Sequence, residues 1–254
     1  MSHPGIAIAS IGVTLAIVLV TLVVGRGSER RASCRAALIP AYLPPRGIAD
    51  LVRSTNRPRI VVINPNNGPG LAEHEAYRRA VREVRATGTR VLGYVATGYA
   101  ARPAGDVVAD VDRYLSWYGV DGIFFDEAAS GEAALPYYAA LARHVRSGAD
   151  RLVVVNPGVA PARGYFDVAD VVVTFEGAYV EYGAAVRAMP DWLRQEPPGR
   201  VAHLVYGASR AEALRAVADG AAGYVYATSG AMPNPWRTLP DYLSEEAEVL
   251  ASCR

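Results

Sequence analysis

Residues 170–177 read DVVVTFEG and residues 121–127 read DGIFFDE, two apolar runs that each end in a carboxylate. Runs of the same kind recur as IVVI at residues 60–63 and LVVV at residues 152–155. A strand that is covered by helices on both faces reads as such a continuous apolar run, whereas a half-exposed strand alternates apolar and polar residues. The pattern therefore predicts parallel strands buried on both faces.

Eight such segments alternate with segments of helical composition along the chain. The predicted strands cover residues 37–42, 59–64, 90–96, 122–126, 152–156, 168–176, 201–206 and 223–227. The predicted helices cover residues 72–87, 107–118, 133–146, 182–193, 210–218 and 240–251, and the segments after the first and fifth strands are not assigned. Eight strand and helix units in roughly 220 residues predict an α/β fold of the (β/α)8 TIM-barrel type. A doubly wound open sheet is the alternative, but it usually carries a Gly-rich phosphate loop after its first strand, where this chain has PAYLPP at residues 40–45.

The composition excludes several classes of function. Of the 254 residues, 51% are hydrophobic, which is typical of a globular core and not of a disordered chain. The formal net charge is +1, so we expect no nucleic-acid partner. The four histidines, His3, His74, His144 and His203, show no metal-ligand spacing, and no phosphate loop or dinucleotide motif occurs. We therefore predict neither a metal nor a cofactor, and we expect His203 to be a core residue.

The N-terminal residues 5–25 form an uncharged apolar run, GIAIASIGVTLAIVLVTLVVG. At about 1.5 Å per residue, a helix of this length spans a bilayer core of about 30 Å, so we predict a single transmembrane helix before the barrel. A cleaved signal peptide is the alternative, although no Arg or Lys precedes the run. The predicted organisation is an anchor with its juxtamembrane segment at residues 1–33 and one barrel domain at residues 34–254.

The two cysteines, Cys34 and Cys253, stand at the two ends of the predicted barrel domain. A disulfide bond between them would close nearly the whole domain into one loop and could stabilise it by about 4–5 kcal/mol. Two unpaired thiols are the alternative. We predict the disulfide, which would indicate an oxidising compartment.

Polar side chains follow the predicted strands, at the end of a barrel where catalytic groups lie. We predict that the following side chains bind substrate: Tyr42, Asn64, Asn66, Tyr94, Asn156, Tyr179, Tyr206 and Tyr226. Asn67 and Tyr99 also follow the second and third strands. Each Asn-Pro pair, at Asn64 and Asn156, could instead only form a turn. A ring of amides, tyrosines and carboxylates with no cation is suited to a polyhydroxylated ligand.

Three acids are the candidate catalytic residues. Asp126 and Glu127 end the fourth predicted strand, and Glu176 ends the sixth. Glycosidic bond cleavage uses one acid to protonate the leaving oxygen and one carboxylate as nucleophile or base. The alternatives are a helix-capping role for Asp126 or Glu127 and a buried salt bridge for Glu176.

The sequence resembles the spherulin 4 family, also called spherulation-specific family 4 and classed as glycoside hydrolase family 135. The resemblance is carried by PAYLPP (40–45), VVINPNNGPG (61–70), VLGYVATGYA (91–100), DGIFFDEA (121–128), VVVNPG (153–158) and TFEG (174–177). It implies a (β/α)8 barrel that hydrolyses galactosamine-containing exopolysaccharide, with acidic groove residues at Asp126, Glu127 and Glu176. For this chain we assign Asp126 as nucleophile or electrostatic stabiliser, Glu176 as general acid/base and Glu127 as a substitute for either.

We therefore expect an endo-acting glycoside hydrolase that is anchored in the cell membrane, with its barrel outside the cell. Secretion after signal cleavage is the alternative location. Arg26, Arg30 and Arg31, which follow the apolar run, would place the barrel inside by the positive-inside rule, in conflict with this expectation. A non-catalytic barrel that tethers polysaccharide to the cell surface is the alternative function. The sequence makes no prediction about the oligomeric state.

Overall fold

A computed structural model describes Met1, residues 35–51 and residues 58–252 of the chain. No helix in the described residues has the length and apolar character needed to cross a bilayer. The predicted membrane helix at residues 5–25, Cys34 and Cys253 lie outside the described residues.

Eight parallel strands form one sheet in which each strand pairs with the next along the chain. They are β1 (Leu38–Ala41), β2 (Ile60–Ile63), β3 (Arg90–Ala96), β4 (Gly122–Asp126), β5 (Leu152–Val155), β6 (Val171–Ala178), β7 (Val201–Tyr206) and β8 (Tyr224–Ala227). The sheet closes on itself where the Ala36 amide donates to the Gly223 carbonyl at 2.9 Å and the Val225 amide donates to the Ala36 carbonyl at 3.1 Å. The predicted α/β fold of the TIM-barrel type is thus confirmed.

Helices follow the strands and cover the outer face of the barrel. In the described residues they are α1 (Pro45–Asp50), α2 (Glu75–Arg85), α3 (Ala104–Arg113), α4 (Leu135–Arg146), α5 (Tyr165–Val168), α6 (Tyr179–Ala188), α7 (Asp191–Arg194), α8 (Arg210–Ala218) and α9 (Leu243–Ala251). All residues of β1 and β2 are buried, as the continuous apolar runs predicted. The core therefore includes both faces of these strands.

Two predicted helices differ from the structure in their internal geometry. The helix predicted at residues 182–193 is divided into α6 and α7, because Pro190 has no amide hydrogen to continue a helix. The helix predicted at residues 107–118 is α3 followed by a π-helical turn at Tyr114–Tyr118. This turn buries Tyr114 against Gly93 of β3, where a Cβ atom would lie only 2.4 Å from the ring. The absence of a side chain at Gly93 thus lets the helix approach β3.

Candidate active site

A cavity of about 550 Å³ opens at the carboxyl end of the strands. Residues that follow all eight strands line it. They are Tyr42, Asn64, Asn67, Tyr94, Tyr99, Asp126, Glu127, Asn156, Pro157, Gly158, Val159, Glu176, Tyr206, Met232, Pro233, Asn234, Pro235 and Trp236. The lining contains three carboxylic acids and no basic side chain, so the cavity is suited to neutral or cationic ligands.

One amide group connects two of the three acids. Asn156 Nδ2 donates to Asp126 Oδ1 at 2.6 Å and also to Glu176 Oε2. The opposite oxygen, Glu176 Oε1, accepts a hydrogen bond from Trp236 Nε1 at 3.2 Å. Because both acids bind the same nitrogen atom, their nearest oxygens lie within about 6 Å of each other. These contacts differ from the two alternatives considered above, a helix cap for Asp126 and a buried salt bridge for Glu176.

The backbone of three neighbouring strands holds this arrangement. Asp126 ends β4, Asn156 follows β5, and Glu176 lies in β6. The Asn156 amide donates to the Phe125 carbonyl at 2.8 Å, and the Glu176 amide donates to the Gly158 carbonyl at 2.9 Å. Since parallel strands end at the same edge of the sheet, residues 30 and 20 positions apart from Asn156 converge on its side chain.

A buried hydroxyl pair supports the turn that carries Asp126 and Glu127. Thr97 Oγ1 lies 3.0 Å from the Asp126 carbonyl and 2.8 Å from the Glu127 carbonyl, and 2.9 Å from the Tyr138 hydroxyl. Tyr138 in turn accepts the Ala129 amide at 2.9 Å. Glu127 has a φ of +49°, a conformation that costs a residue with a Cβ atom about 1–2 kcal/mol. The Thr97–Tyr138 contacts offset this cost and hold the exposed Glu127 at the cavity.

Burial raises the pKa values of the two bridged acids. The pKa of Glu176 is raised to about 7, first by burial and then by the nearby Asp126 carboxylate. The pKa of Asp126 is also raised by burial, while hydrogen bonds from the Glu127 backbone, Asn156 and Tyr94 oppose the increase. More donors therefore stabilise the charge of Asp126, which makes Glu176 the acid that keeps its proton near neutral pH.

The structure brings most of the predicted binding residues to the cavity and leaves three outside its lining. Asn66 is exposed to solvent beside it. Tyr179 lies at the start of α6, where its hydroxyl accepts a hydrogen bond from Arg215 at 3.4 Å. Tyr226 is fully buried, with its hydroxyl close to Glu246 of α9. The prediction that Tyr226 contacts substrate is corrected because its side chain has no exposed surface.

The segment Met232–Trp236, which follows β8, was not predicted to lie at the site, yet it contributes the indole that binds Glu176. Trp236 also packs against Tyr206 and Tyr226, with ring centroids 6.2 Å and 5.9 Å away. Catalytic groups in TIM barrels occur in the loops after the strands. This Pro- and Trp-containing segment follows the last strand, and that position could have indicated that it lies at the site.

Two further expectations concern histidine and metal. His203 is fully buried, and its two ring nitrogens lie 3.0 Å from the Tyr182 hydroxyl and 3.1 Å from the Thr174 hydroxyl. Burial lowers its pKa to about 4, and its full burial confirms the predicted core position.

In the part of the chain that the structure describes, no three His, Cys, Asp or Glu side chains are grouped to hold a metal ion.

Comparisons with known proteins agree with this architecture. Spherulin-4 of Physarum polycephalum is 32% identical over 229 residues, which cover 84% of this chain and 69% of the relative. The crystal structure of Aspergillus clavatus Sph3 in complex with GalNAc matches with a TM-score of 0.73 at 24% identity, over 87% of this chain and 99% of the other. A chitinase from Chromobacterium violaceum matches with a TM-score of 0.56 at 12% identity, over 86% of this chain and 100% of the other.

The family comparison covers nearly the whole barrel. The model of Spherulation-specific family 4 matches residues 38–250, from the first strand to the last helix. Together with the identity to Spherulin-4, this match shows that the chain belongs to Spherulation-specific family 4.

Proposed function

We propose that this chain is a glycoside hydrolase that cleaves a galactosamine-containing exopolysaccharide within the polymer. The observation that carries the proposal is the pair of acids, Asp126 and Glu176, bridged by one Asn156 amide at the mouth of the barrel. Two carboxyl groups on either side of a glycosidic bond are what hydrolysis of that bond requires.

Glu176 is suited to the role of general acid. An acid donates a proton most effectively when its pKa lies near the working pH, and the pKa of Glu176 is raised to about 7. Asp126 has two side-chain donors and one backbone donor that favour its charged form. It would therefore act as the nucleophile or as the charge that stabilises an oxocarbenium-like transition state.

The spacing of the acids supports a mechanism that retains the anomeric configuration. Retaining enzymes have carboxyl groups about 5–5.5 Å apart, whereas inverting enzymes separate them by about 6.5–9.5 Å to admit a water molecule. Because Asn156 Nδ2 bonds to both acids, their nearest oxygens lie within about 6 Å of each other, which favours the shorter class. Glu127, exposed at the rim, would contact substrate and could replace either acid only after a change of position.

The surroundings of the acids support a sugar substrate. Tyrosine hydroxyls and asparagine amides from β1, β2, β3 and β7 face the cavity and can form hydrogen bonds with sugar hydroxyls. Sph3 of Aspergillus clavatus was crystallised with GalNAc, and we extend that ligand class to this chain. The proposed membrane location depends on residues 5–25, and the proposed placement of the barrel outside the cell depends on the exopolysaccharide substrate.

The experiment that tests the function is the release of new reducing ends from partially deacetylated galactosaminogalactan by the purified full chain. We expect steady release by the unmodified protein and almost none by the Glu176→Gln variant. Circular dichroism and thermal unfolding would verify that the variant is folded.

Two results would contradict the proposal. Equal release by a folded Glu176→Gln variant would remove Glu176 from the reaction. Binding of the polymer without any new reducing ends in the unmodified protein would instead support the non-catalytic tether.

A further inference from the structure

Three consecutive residues after β3 have the left-handed backbone conformation. Their φ angles are +55° at Gly98, +57° at Tyr99 and +67° at Ala100. The left-handed conformation costs a residue with a Cβ atom about 1–2 kcal/mol and normally occurs at single positions. A run of three, two of them not glycine, therefore needs interactions that hold it.

The structure contains these interactions on both sides of the turn. The Ala101 amide donates to the Gly98 carbonyl at 2.9 Å, and the Arg102 amide donates to the Thr97 carbonyl at 3.2 Å. The Arg102 guanidinium donates to the Ala96 carbonyl at 2.9 Å and pairs with Asp110. The turn is thus held in place by contacts that lie outside the cavity.

The arrangement exposes an aromatic side chain at the cavity mouth. Tyr99 lines the cavity, yet 68% of its surface is exposed. Its backbone amide donates to the Glu127 carbonyl at 2.6 Å, which places the turn next to the residue that follows Asp126. A turn that is already rigid spares the conformational entropy of ordering the backbone when its side chain binds a ligand. The strained turn therefore presents Tyr99 in a position prepared for binding.

We infer that Tyr99 is a platform for a sugar unit of the polymer next to the unit that the acids hold. This inference rests on the proposed function and adds a second sugar-binding position to it. The apolar face of a pyranose ring packs on a tyrosine ring, and the phenolic hydroxyl can bind a sugar hydroxyl. The cavity lining has no basic residue, so this position takes a neutral or amino sugar and not an acidic one.

The test compares Tyr99→Ala and Tyr99→Phe in polymer cleavage, with Val180→Ala as the control. Val180 is 87% exposed at the start of α6 and lies outside the cavity lining, so its substitution removes an exposed apolar side chain without touching the site. We expect Tyr99→Ala to raise the KM for polymer about 3-fold to 10-fold with kcat within twofold of the unmodified protein. Tyr99→Phe keeps the ring and removes only the hydroxyl, so we expect a smaller rise of KM than in Tyr99→Ala, whereas Val180→Ala should behave like the unmodified protein.

A second readout does not depend on turnover. In a Glu176→Gln background, the affinity for the same polymer would be measured with and without the Tyr99→Ala change. A 3-fold to 10-fold loss of affinity supports the platform even if the unmodified protein forms no products, in which case only the proposed catalysis fails.

Three outcomes would overturn the inference. An unchanged KM and an unchanged affinity in Tyr99→Ala would show that the ring does not bind sugar. A loss confined to kcat would show that Tyr99 acts only by positioning Glu127. Absence of polymer binding by the unmodified protein would remove both the platform and the proposed function.

Discussion

Glu176 at the mouth of the barrel is half-buried and Glu246 on α9 is fully buried, and the surroundings of the two carboxyl groups differ as well. Glu176 accepts hydrogen bonds from Asn156 and Trp236. Glu246 is fully buried, and neither of its oxygens has a well-formed hydrogen bond with a described residue, the backbone at Ala227 giving only a weak one. Burial raises the pKa of Glu176 to about 7 and that of Glu246 to about 8, where the backbone at Ala227 offsets only part of the effect.

The difference shows that a raised pKa is not sufficient for catalysis. Burial disfavours the charged form of any carboxyl group, but a proton donor must also be stabilised after the proton has left. Glu176 has donors on both oxygens and faces an open cavity, whereas Glu246 has neither. Only Glu176 can therefore alternate between its two protonation states during a reaction.

The largest expected effect is on catalysis. Replacing the carboxyl group of Glu176 by an amide removes the transferable proton, so we expect Glu176→Gln to lower kcat about 10²-fold to 10⁴-fold. Glu246→Gln is the same chemical change at the other buried glutamate, and we expect kcat within twofold of the unmodified protein. Reducing-end assays on both variants would measure this contrast, and equal losses would contradict it.

The second effect is on stability, and here we expect Glu246 to matter more than Glu176, because its pKa is raised further. The folded protein keeps the Glu246 proton up to a pH of about 8, whereas the unfolded chain releases it near 4.5, the ordinary pKa of a glutamate. The unmodified protein should thus lose unfolding free energy as the pH rises between these values, in total on the order of 4–5 kcal/mol. Glu246→Gln has no proton to release. The unfolding free energy of the variant should therefore rise relative to that of the unmodified protein from pH 5 to pH 8.

Denaturant unfolding at several pH values would measure this difference. A gap between the two proteins that does not change with pH would mean that Glu246 ionises in the folded protein as it does in water.

A third prediction concerns the buried hydroxyl of Thr97, which has hydrogen-bond partners. Thr97→Val removes the contacts to Asp126, Glu127 and Tyr138, and we expect it to cost about 1–2 kcal/mol of unfolding free energy and to lower kcat. Thr89→Val is the matched control, since Thr89 is also buried and hydrogen-bonded, to the Pro58 carbonyl at 2.9 Å, but at the amino end of β3.

We expect Thr89→Val to reduce stability by a similar amount and to leave kcat unchanged. Unfolding curves and initial rates of both variants would separate the two effects. Equal kcat values for the two variants would show that Thr97 does not position the acids.

The smallest predicted effect is a shift of the pH profile. The hydrogen bond from Trp236 lowers the pKa of Glu176, so its removal in Trp236→Phe should raise that pKa. Because the acid form of Glu176 is the proposed proton donor, we expect the fall of kcat/KM at alkaline pH to move upward, by less than about one pH unit. A profile across neutral pH, from the acidic to the alkaline side, would measure the shift, and a downward shift would exclude the proposed role of the indole.

Much of the barrel could be predicted because strand formation depends on local sequence. The predicted bounds of the third, fourth and seventh strands agree with β3, β4 and β7. The helix predicted at residues 182–193 was less accurate, although the property that divides it, the missing amide hydrogen of Pro190, is local to the sequence. At the site, the chain positions of Asp126, Asn156 and Glu176 at strand ends were sufficient to place them in one cavity.

The tyrosines show that a position near a strand end does not by itself predict contact with the cavity. Tyr94 and Tyr206 line the cavity, whereas Tyr226 on β8 is buried near Glu246. Tyr226 pairs with Leu204, which lies two positions before Tyr206 on the same face of β7, so Tyr226 lies deeper along its strand than Tyr206 does. The sequence places all three tyrosines near the ends of strands and does not distinguish these two environments.

The fold class and the carboxylates at the strand ends follow from the amino-acid sequence, because apolar runs and strand termination are local properties of the chain. The folded barrel was needed to show that Asn156 bonds to two acids at once and that Trp236, 60 residues away from Glu176, binds the proposed proton donor. Hydrogen bonds and burial depend on distances of a few ångströms between residues far apart in sequence, and those distances exist only once the barrel has closed.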